Sequence, residues 1–241
     1  MTKLLVSVVN ADEAQTAVEA GADLIDIKDP RKGSLGAPER STVESVVARI
    51  AKRVPISVAL GELRDIASLG DLASFGNVDF VKLGMAGLAR HADWPRRWGD
   101  MLRRLAPGVR PVAVVYADWR AVAAPEPAQV LIEAKRLGCA AVLVDTHDKS
   151  AGHLLDWWDL GSLANYTASV QRHGMLAVLA GSLTIETART VASLEPDYIA
   201  VRGAVCDGGR DGPLVETRVR RLARLLAEFK AQPVTTVNAF T

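Results

Sequence analysis

Residues 23–37 read DLIDIKDPRKGSLGA. The short apolar run Leu24-Ile25-Asp26-Ile27 carries one carboxylate, ends at Lys28, and gives way at once to a polar, glycine-containing loop. This is the pattern of a strand that leads into a loop at its C-terminal end. A lysine and an aspartate are costly inside a sheet or barrel unless something uses them. The question raised is why a buried strand should end on a lysine.

Working outward, the same unit recurs. Residues 4–9, 24–28, 56–60, 78–83, 111–116, 140–145, 175–180 and 197–201 are short runs rich in Val, Ile and Leu. Segments of helical period lie between them, at about 41–53, 65–75, 94–105, 127–137, 160–173, 185–193 and 214–230, and the first strand leads into one whose stripe is Ala14, Ala17 and Val18. Asn10 or Asp12 is placed to cap that first helix, and Gly21 to end it. Strands apolar on both faces, joined by helices, belong to a covered parallel sheet. Eight such units in 241 residues predict a single (β/α)8 barrel over residues 1–241, of the α/β class, with 232–241 as a C-terminal extension. A doubly wound sheet is the alternative, and it seldom needs eight units so regular.

Bulk composition restricts the function classes. Hydrophobic residues make up 49%, charged residues 24%, and the formal net charge is +1. This gives no electrostatic case for nucleic acid or membrane partners. No apolar run approaches the ~20 residues of a membrane span, and the N-terminal run is too short for a signal peptide. Cys139 and Cys206 have no metal-ligand spacing and suggest no oxidising compartment. A cytoplasmic location is the default expectation. There is no Walker loop, G-x-G-x-x-G, H-E-x-x-H or paired C-x-x-C, so neither a cofactor nor a catalytic metal is expected. A homo-oligomer is the expected assembly, with Trp157-Trp158 and the tail as segments able to pack on the barrel or on a second copy.

In such a barrel the chemistry sits at the C-terminal strand ends. Strand two ends at Lys28, with Asp26 two residues earlier on the same face. Strand four ends near Lys82, strand six at Asp145 with Lys149 in its loop, and strand eight runs into Arg202. All four strands are even-numbered, and alternate strands share a layer of the barrel. A lysine after a strand is ordinarily a solvated loop residue, and Asp145 could simply cap a loop. Two lysines and two aspartates gathered at one barrel end argue instead for a site. His147 shares the loop of Asp145 but suits solvent equally well, and His91, His153 and His173 read as peripheral.

Two loops suit phosphate. They are Ala180-Gly181-Ser182-Leu183-Thr184 after strand seven and Arg202-Gly203-Ala204-Val205 after strand eight. Barrels bind phosphate there through backbone N–H groups, and Arg202 would add a bidentate contact. Ordinary turn chemistry is the competing reading. The loop at Gly33–Ala37 is a weaker candidate for a second phosphate.

A lysine with its usual pKa near ~10.4 is not a nucleophile. Burial or a second ammonium lowers that value. Lys28 and Lys82 could serve each other so, one amine forming an imine with a sugar phosphate and Lys82 acting as base while Asp26 shuttles protons.

The segments DLIDIKDPRKGSLGA, VKLG at 81–84 and VDTHDKS at 144–150 closely resemble those of the (5-formylfuran-3-yl)methyl phosphate synthase family. That family belongs to methanofuran biosynthesis, with relatives in methylotrophic bacteria and so in one-carbon metabolism. The resemblance covers almost the whole chain. Regions 90–110 and 230–241 carry no matching motif. It implies that two glyceraldehyde 3-phosphate molecules condense to a furan aldehyde phosphate, with Lys28 as the Schiff-base lysine and Lys82 as the proton acceptor. Asp26, Asp145 and Lys149 match the family's other polar positions. A class I aldolase or sugar-phosphate isomerase would use the same imine without eliminating phosphate. A non-catalytic barrel binding a phosphorylated metabolite is a further reading.

Overall fold

A computed structural model describes residues 2–68 and 77–228. The strands are β1 (Lys3–Val8), β2 (Leu24–Ile27), β3 (Ile56–Glu62), β4 (Phe80–Gly84), β5 (Arg110–Tyr116), β6 (Ala141–Asp145), β7 (Leu176–Leu179) and β8 (Tyr198–Val201). All pair in parallel and close in sequence order, with β8 returning to β1. The helices are α1 (Ala11–Glu19), α2 (Arg40–Ile50), α3 (Trp94–Leu102), α4 (Pro127–Arg136), α5 (Leu154–Trp157), α6 (Leu160–Arg172), α7 (Ile185–Ala192) and α8 (Glu216–Glu228). The expected (β/α)8 barrel is therefore the fold.

Strand alternation separates two cores. On β2, Leu24 points into the barrel, whereas Ile25 and Ile27 pack outward under the helices. Leu5, Leu24, Phe80 and Ala141 belong to the inner cluster. Asn10 caps α1 by accepting from the Glu13 N–H at 2.8 Å. Without a glycine at its end, α2 stops through Ala51 and Lys52, both at positive φ.

The N-terminal end of the barrel carries a device repeated on three even strands. Asp23, Asp79 and Asp197 each immediately precede a strand. Each accepts the first free N–H of the strand before it, at Leu4, Ile56 and Ala177 respectively, all at 2.8 Å. The position before β6 is Ala140, and the device is absent there.

Some boundaries differ from the sequence expectation. The third helix, expected over 65–75, begins as a 3-10 helix at Leu63–Ser68, and 69–76 lie outside the described residues, as does the tail 232–241. Unit six has two helices, α5 and α6. Trp158 packs inward, its indole N–H donating to the Ala117 carbonyl at 3.1 Å and its ring edge-on to Tyr166, while Trp157 stays exposed.

Most relevant to function, β4 does not stop near Lys82 but runs on to Gly84. Over this end lies a partly buried pair. Tyr116 Oη donates to Glu62 Oε1 at 2.5 Å, and Glu62 Oε2 accepts the Ala86 N–H at 2.8 Å. A Cβ on Gly84 would collide with both the tyrosine hydroxyl and the glutamate, so only glycine lets β4 pass beneath them. The β3–β4 register shifts between Ala59 and Glu62, where this pair is accommodated.

Replacing Asp79 with alanine should leave the Ile56 N–H unpaired and cost about 1–3 kcal/mol. Activity per folded molecule should persist, because Asp79 lies at the end of the barrel opposite Lys28. Denaturant unfolding with a parallel assay checks this. Unchanged stability would show that water replaces the carboxylate.

Candidate active site

Lys28 continues the β1 ladder, its N–H donating to the Val8 carbonyl at 3.2 Å. The residue is 9% exposed, and its ammonium nitrogen makes no hydrogen bond or ion pair among the described residues. Burial pulls its pKa from 10.5 to about 7, with Lys149 and Lys82 pushing the same way against Asp145 and Asp26. A sizeable fraction of the amine is thus neutral near pH 7, which imine chemistry requires.

The other charges are paired. Lys82 Nζ lies 2.6 Å from Asp26 Oδ1, both side chains being buried, and Ser7 Oγ donates to Asp26 Oδ2 at 2.9 Å. The register sets this up, because Asp26 is level with Ser7 on β1 and Ser57 on β3, and Ala59 is level with Lys82 on β4. Lys82 lies two residues below the end of its strand, and the pair sits beneath Lys28. Lys149 Nζ pairs with Asp145 Oδ1 and donates to Thr146 Oγ1 at 3.1 Å. Burial works to raise the Asp145 carboxyl, but the ammoniums of Lys149 and Lys28 outweigh it and hold the group below the usual carboxylate range.

Lys28, Lys82, Asp145 and Lys149 line one cavity of about 540 Å³, whereas Asp26 is fully buried behind Lys82 and does not reach it. The size falls within the ~300–1,000 Å³ of small-molecule sites. Gly181, Ser182 and Gly203 also line the cavity. The N–H groups of Gly181, Ser182, Leu183, Gly203 and Ala204 find no acceptor among the described residues, so two loops present unspent donors to the cavity. Gly181 has φ +104°, and a Cβ there would press on Leu154 and Thr146. The start of α7 is less open to an anion. Glu186 already sits on its own N–H and on Thr184, which together hold its carboxyl low.

Arg202 requires a correction. It lines the cavity, but its guanidinium is committed elsewhere. Nε donates to the Arg210 carbonyl at 2.6 Å, Nη1 to Ser7 O and Glu13 Oε2 at 3.0 and 2.8 Å, and Nη2 to Gly212 O and Glu13 Oε1 at 3.3 and 3.5 Å. All five N–H groups are spent. Arg202 ties α1 and the β8 loop to the barrel rim and has no donor left for phosphate.

The loop Gly33–Ala37 is also a structural tie. Leu35 is buried with the inner cluster, its carbonyl accepts the Gly61 N–H at 2.8 Å, and Ser34 Oγ reaches Thr146 O at 3.0 Å and Asp145 Oδ2 at 3.4 Å. A Cβ on Gly36 would strike the Asp29 carbonyl. Sequence reading missed Ser7, Glu62, Tyr116 and Asp118. Buried Asp118 accepts the His147 and Asp148 N–H groups, both at 2.9 Å, and so anchors the loop that carries Lys149. The available signal was Tyr116-Ala117-Asp118 at the end of an odd strand, outside the even-strand pattern. His147 stacks edge-on to Tyr116, with Nε2 3.7 Å from Glu62.

The depressed pKa of Lys28 has a stability consequence. Between about 7 and 10.5 the unfolded chain holds a proton on this amine that the folded chain does not. Stability therefore rises with pH through that window, and the penalty is fully present below it. Lys28→Met should raise the unfolding midpoint most at pH below about 7, with the gain shrinking toward 10.5. Denaturant melts across pH test this. A pH-independent gain would mean that Lys28 titrates normally.

A family model described as 4-HFC-P synthase matches residues 4–223. A (5-formylfuran-3-yl)methyl phosphate synthase of Methanothermobacter thermautotrophicus is 30% identical over 240 residues, covering 94% of this chain and 99% of the relative. That of Methanopyrus kandleri is 32% identical over 234 residues, covering 93% and 99%. Among solved structures, phosphoribosyl anthranilate isomerase from Thermotoga maritima is similar with a TM-score of 0.63 at 15% identity, covering 95% of this chain and all of that one. Thiamine phosphate pyrophosphorylase from Pyrococcus furiosus is similar with a TM-score of 0.61 at 20% identity, covering 94% and 96%. These structural likenesses concern the fold alone. By sequence, matched over most of its length to enzymes named as synthases, the chain belongs to the (5-formylfuran-3-yl)methyl phosphate synthase family.

Proposed function

We propose that this enzyme condenses two molecules of glyceraldehyde 3-phosphate into (5-formylfuran-3-yl)methyl phosphate, releasing one phosphate and two waters, with Lys28 as the imine-forming residue. The observation that carries the reading is a buried, unpaired lysine amine with a pKa near 7 facing a cavity whose other ammonium groups, on Lys82 and Lys149, are held by carboxylates. An amine in that state attacks an aldehyde, and loss of water gives the imine. The protonated imine acidifies the neighbouring C–H. The enamine that results can attack a second aldehyde and form the carbon–carbon bond.

Lys82 with Asp26 is the acid–base unit for proton removal, in line with the role that the family resemblance implies. Lys149 with Asp145 supplies a second unit on the opposite wall, suited to protonating departing oxygens during elimination and ring dehydration. The free N–H groups of the β7 and β8 loops hold a substrate phosphate. On this reading the product serves methanofuran-type cofactor synthesis. The enzyme works in the cytoplasm as a homo-oligomer, with a triose phosphate as its small-molecule partner and no nucleic acid or membrane partner.

Incubation with glyceraldehyde 3-phosphate alone should release inorganic phosphate and produce the ultraviolet absorption of a furan aldehyde. Borohydride should trap a triose adduct on Lys28, with a yield that rises with pH through about 7. Lys28→Arg should lose both adduct and turnover, because a guanidinium cannot replace the amine. Lys82→Arg should keep the adduct while turnover falls ~10²–10⁴-fold, the usual contribution of a general base. Adduct without phosphate release would point to an aldolase or isomerase. An adduct on Lys82 or Lys149 with Lys28 unmodified would reverse the assignment.

A further inference from the structure

Two triose phosphates bring two phosphate groups, and the loops after β7 and β8 form one continuous set of free N–H donors. The second phosphate needs a cation, and the cavity wall narrows the choice. Lys82 is held by Asp26, Lys149 by Asp145 and Arg202 by Glu13. Arg218 donates to the Cys206 carbonyl and to Asp207. Arg210 spends one nitrogen on the carbonyls of Pro30 and Gly33, bracing the β2 loop.

Arg221, on the face of α8 one turn beyond Arg218, also lines the cavity. It is exposed, and no part of its guanidinium makes a hydrogen bond or ion pair among the described residues. Its acidic neighbour Glu186 is engaged by its own N–H and by Thr184, and feels Arg221 only through charge. The adjoining cavity of about 340 Å³, which meets the first at Lys28 and Arg202, carries four carboxylates, Glu13, Asp29, Glu39 and Asp211; its cations Arg31 and Arg202 are held by Asp29 and Glu13, so apart from Lys28 it offers phosphate no unpaired cation.

We infer that Arg221 binds the phosphate of the second triose, the molecule that does not form the imine. This rests on the two-triose reading above. A free guanidinium on a helix at the cavity rim can take a phosphate bidentately and turn its aldehyde toward the enamine on Lys28. Its place at the rim also suits a substrate that enters after the first is covalently held. Arg221 is thus a positioning residue for the carbon–carbon bond, with no part in imine formation.

The test compares two concentration curves for glyceraldehyde 3-phosphate in the wild type, Arg221→Gln and Arg221→Lys. One curve is the borohydride-trapped adduct on Lys28, which reports the first molecule. The other is steady-state release of inorganic phosphate, which requires both. Arg221→Gln should leave the adduct curve and the unfolding midpoint unchanged. It should raise the half-saturating concentration for phosphate release about tenfold or more, equivalent to about 1.4 kcal/mol, and Arg221→Lys should recover part of the loss.

Unchanged phosphate release in Arg221→Gln overturns the inference. So does an equal shift of both curves, which would assign Arg221 to the first phosphate or to the fold. If the wild type releases phosphate without any Lys28 adduct, the imine reading falls, while the shift or constancy of the release curve still judges Arg221.

Discussion

Closing eight parallel strands into a barrel turns alternate residues inward, and charged residues there must find partners or change protonation state. Three of the cations at the C-terminal end find carboxylates on neighbouring elements. Lys82 takes Asp26 from β2, Lys149 takes Asp145 at the foot of its own loop, and Arg202 takes Glu13 from α1. Lys28 takes none, and its burial is met by proton loss instead. The chemical asymmetry between this lysine and its neighbours follows from that allocation. The pairs themselves are weak sources of net stability, since desolvating two charges offsets most of their attraction. Their value lies in holding each group at a fixed place and charge beside the unpaired amine.

The surrounding loops keep the arrangement in register. Leu35 plugs the inner cluster from the β2 loop, and Ser34 reaches across to Asp145 and Thr146 on the far side of the mouth. Asp118 fixes the β6 loop through two backbone N–H groups, and the Glu62–Tyr116 pair caps β4 at Gly84. Burial is the main cause of the lowered Lys28 pKa, so ties that hold the rim around it bear on reactivity as well as on shape. They also explain the composition of the opening motif. Gly36 serves close packing of the loop and Gly33 a turn at φ +111°, while the serine and leucine serve closure.

The same barrel occurs in phosphoribosyl anthranilate isomerase, at 15% identity. Chemistry on this fold is set by what the strand ends carry. Here the even strands carry Lys28, Lys82, Asp145 and Arg202, and three of these four face the cavity as chemically available or paired groups while the fourth is locked into the rim. One face of the fold thus holds both its reactive and its structural charges. Residue type and strand position did not separate the two.

Much was legible in the amino-acid sequence because it depends on local pattern. Eight strand–helix units, the inward phase of Asp26 and Lys28, and the glycine loops after strands seven and eight all follow from periods of two and 3.6 residues and from turn chemistry. Partner choice was not legible. Arg202 and Glu13 lie 189 residues apart in sequence, and Ser34 and Asp145 lie 111 apart. Whether an arginine faces a substrate or a glutamate is settled only when α1 and the β8 loop meet over the rim. For the same reason, sequence put Lys82 at a strand end, whereas β4 runs two residues further, because Gly84 can slide under a glutamate and a tyrosine that come from other strands. Local periodicity decided which residues point inward; long-range contact decided which of them remained free to react.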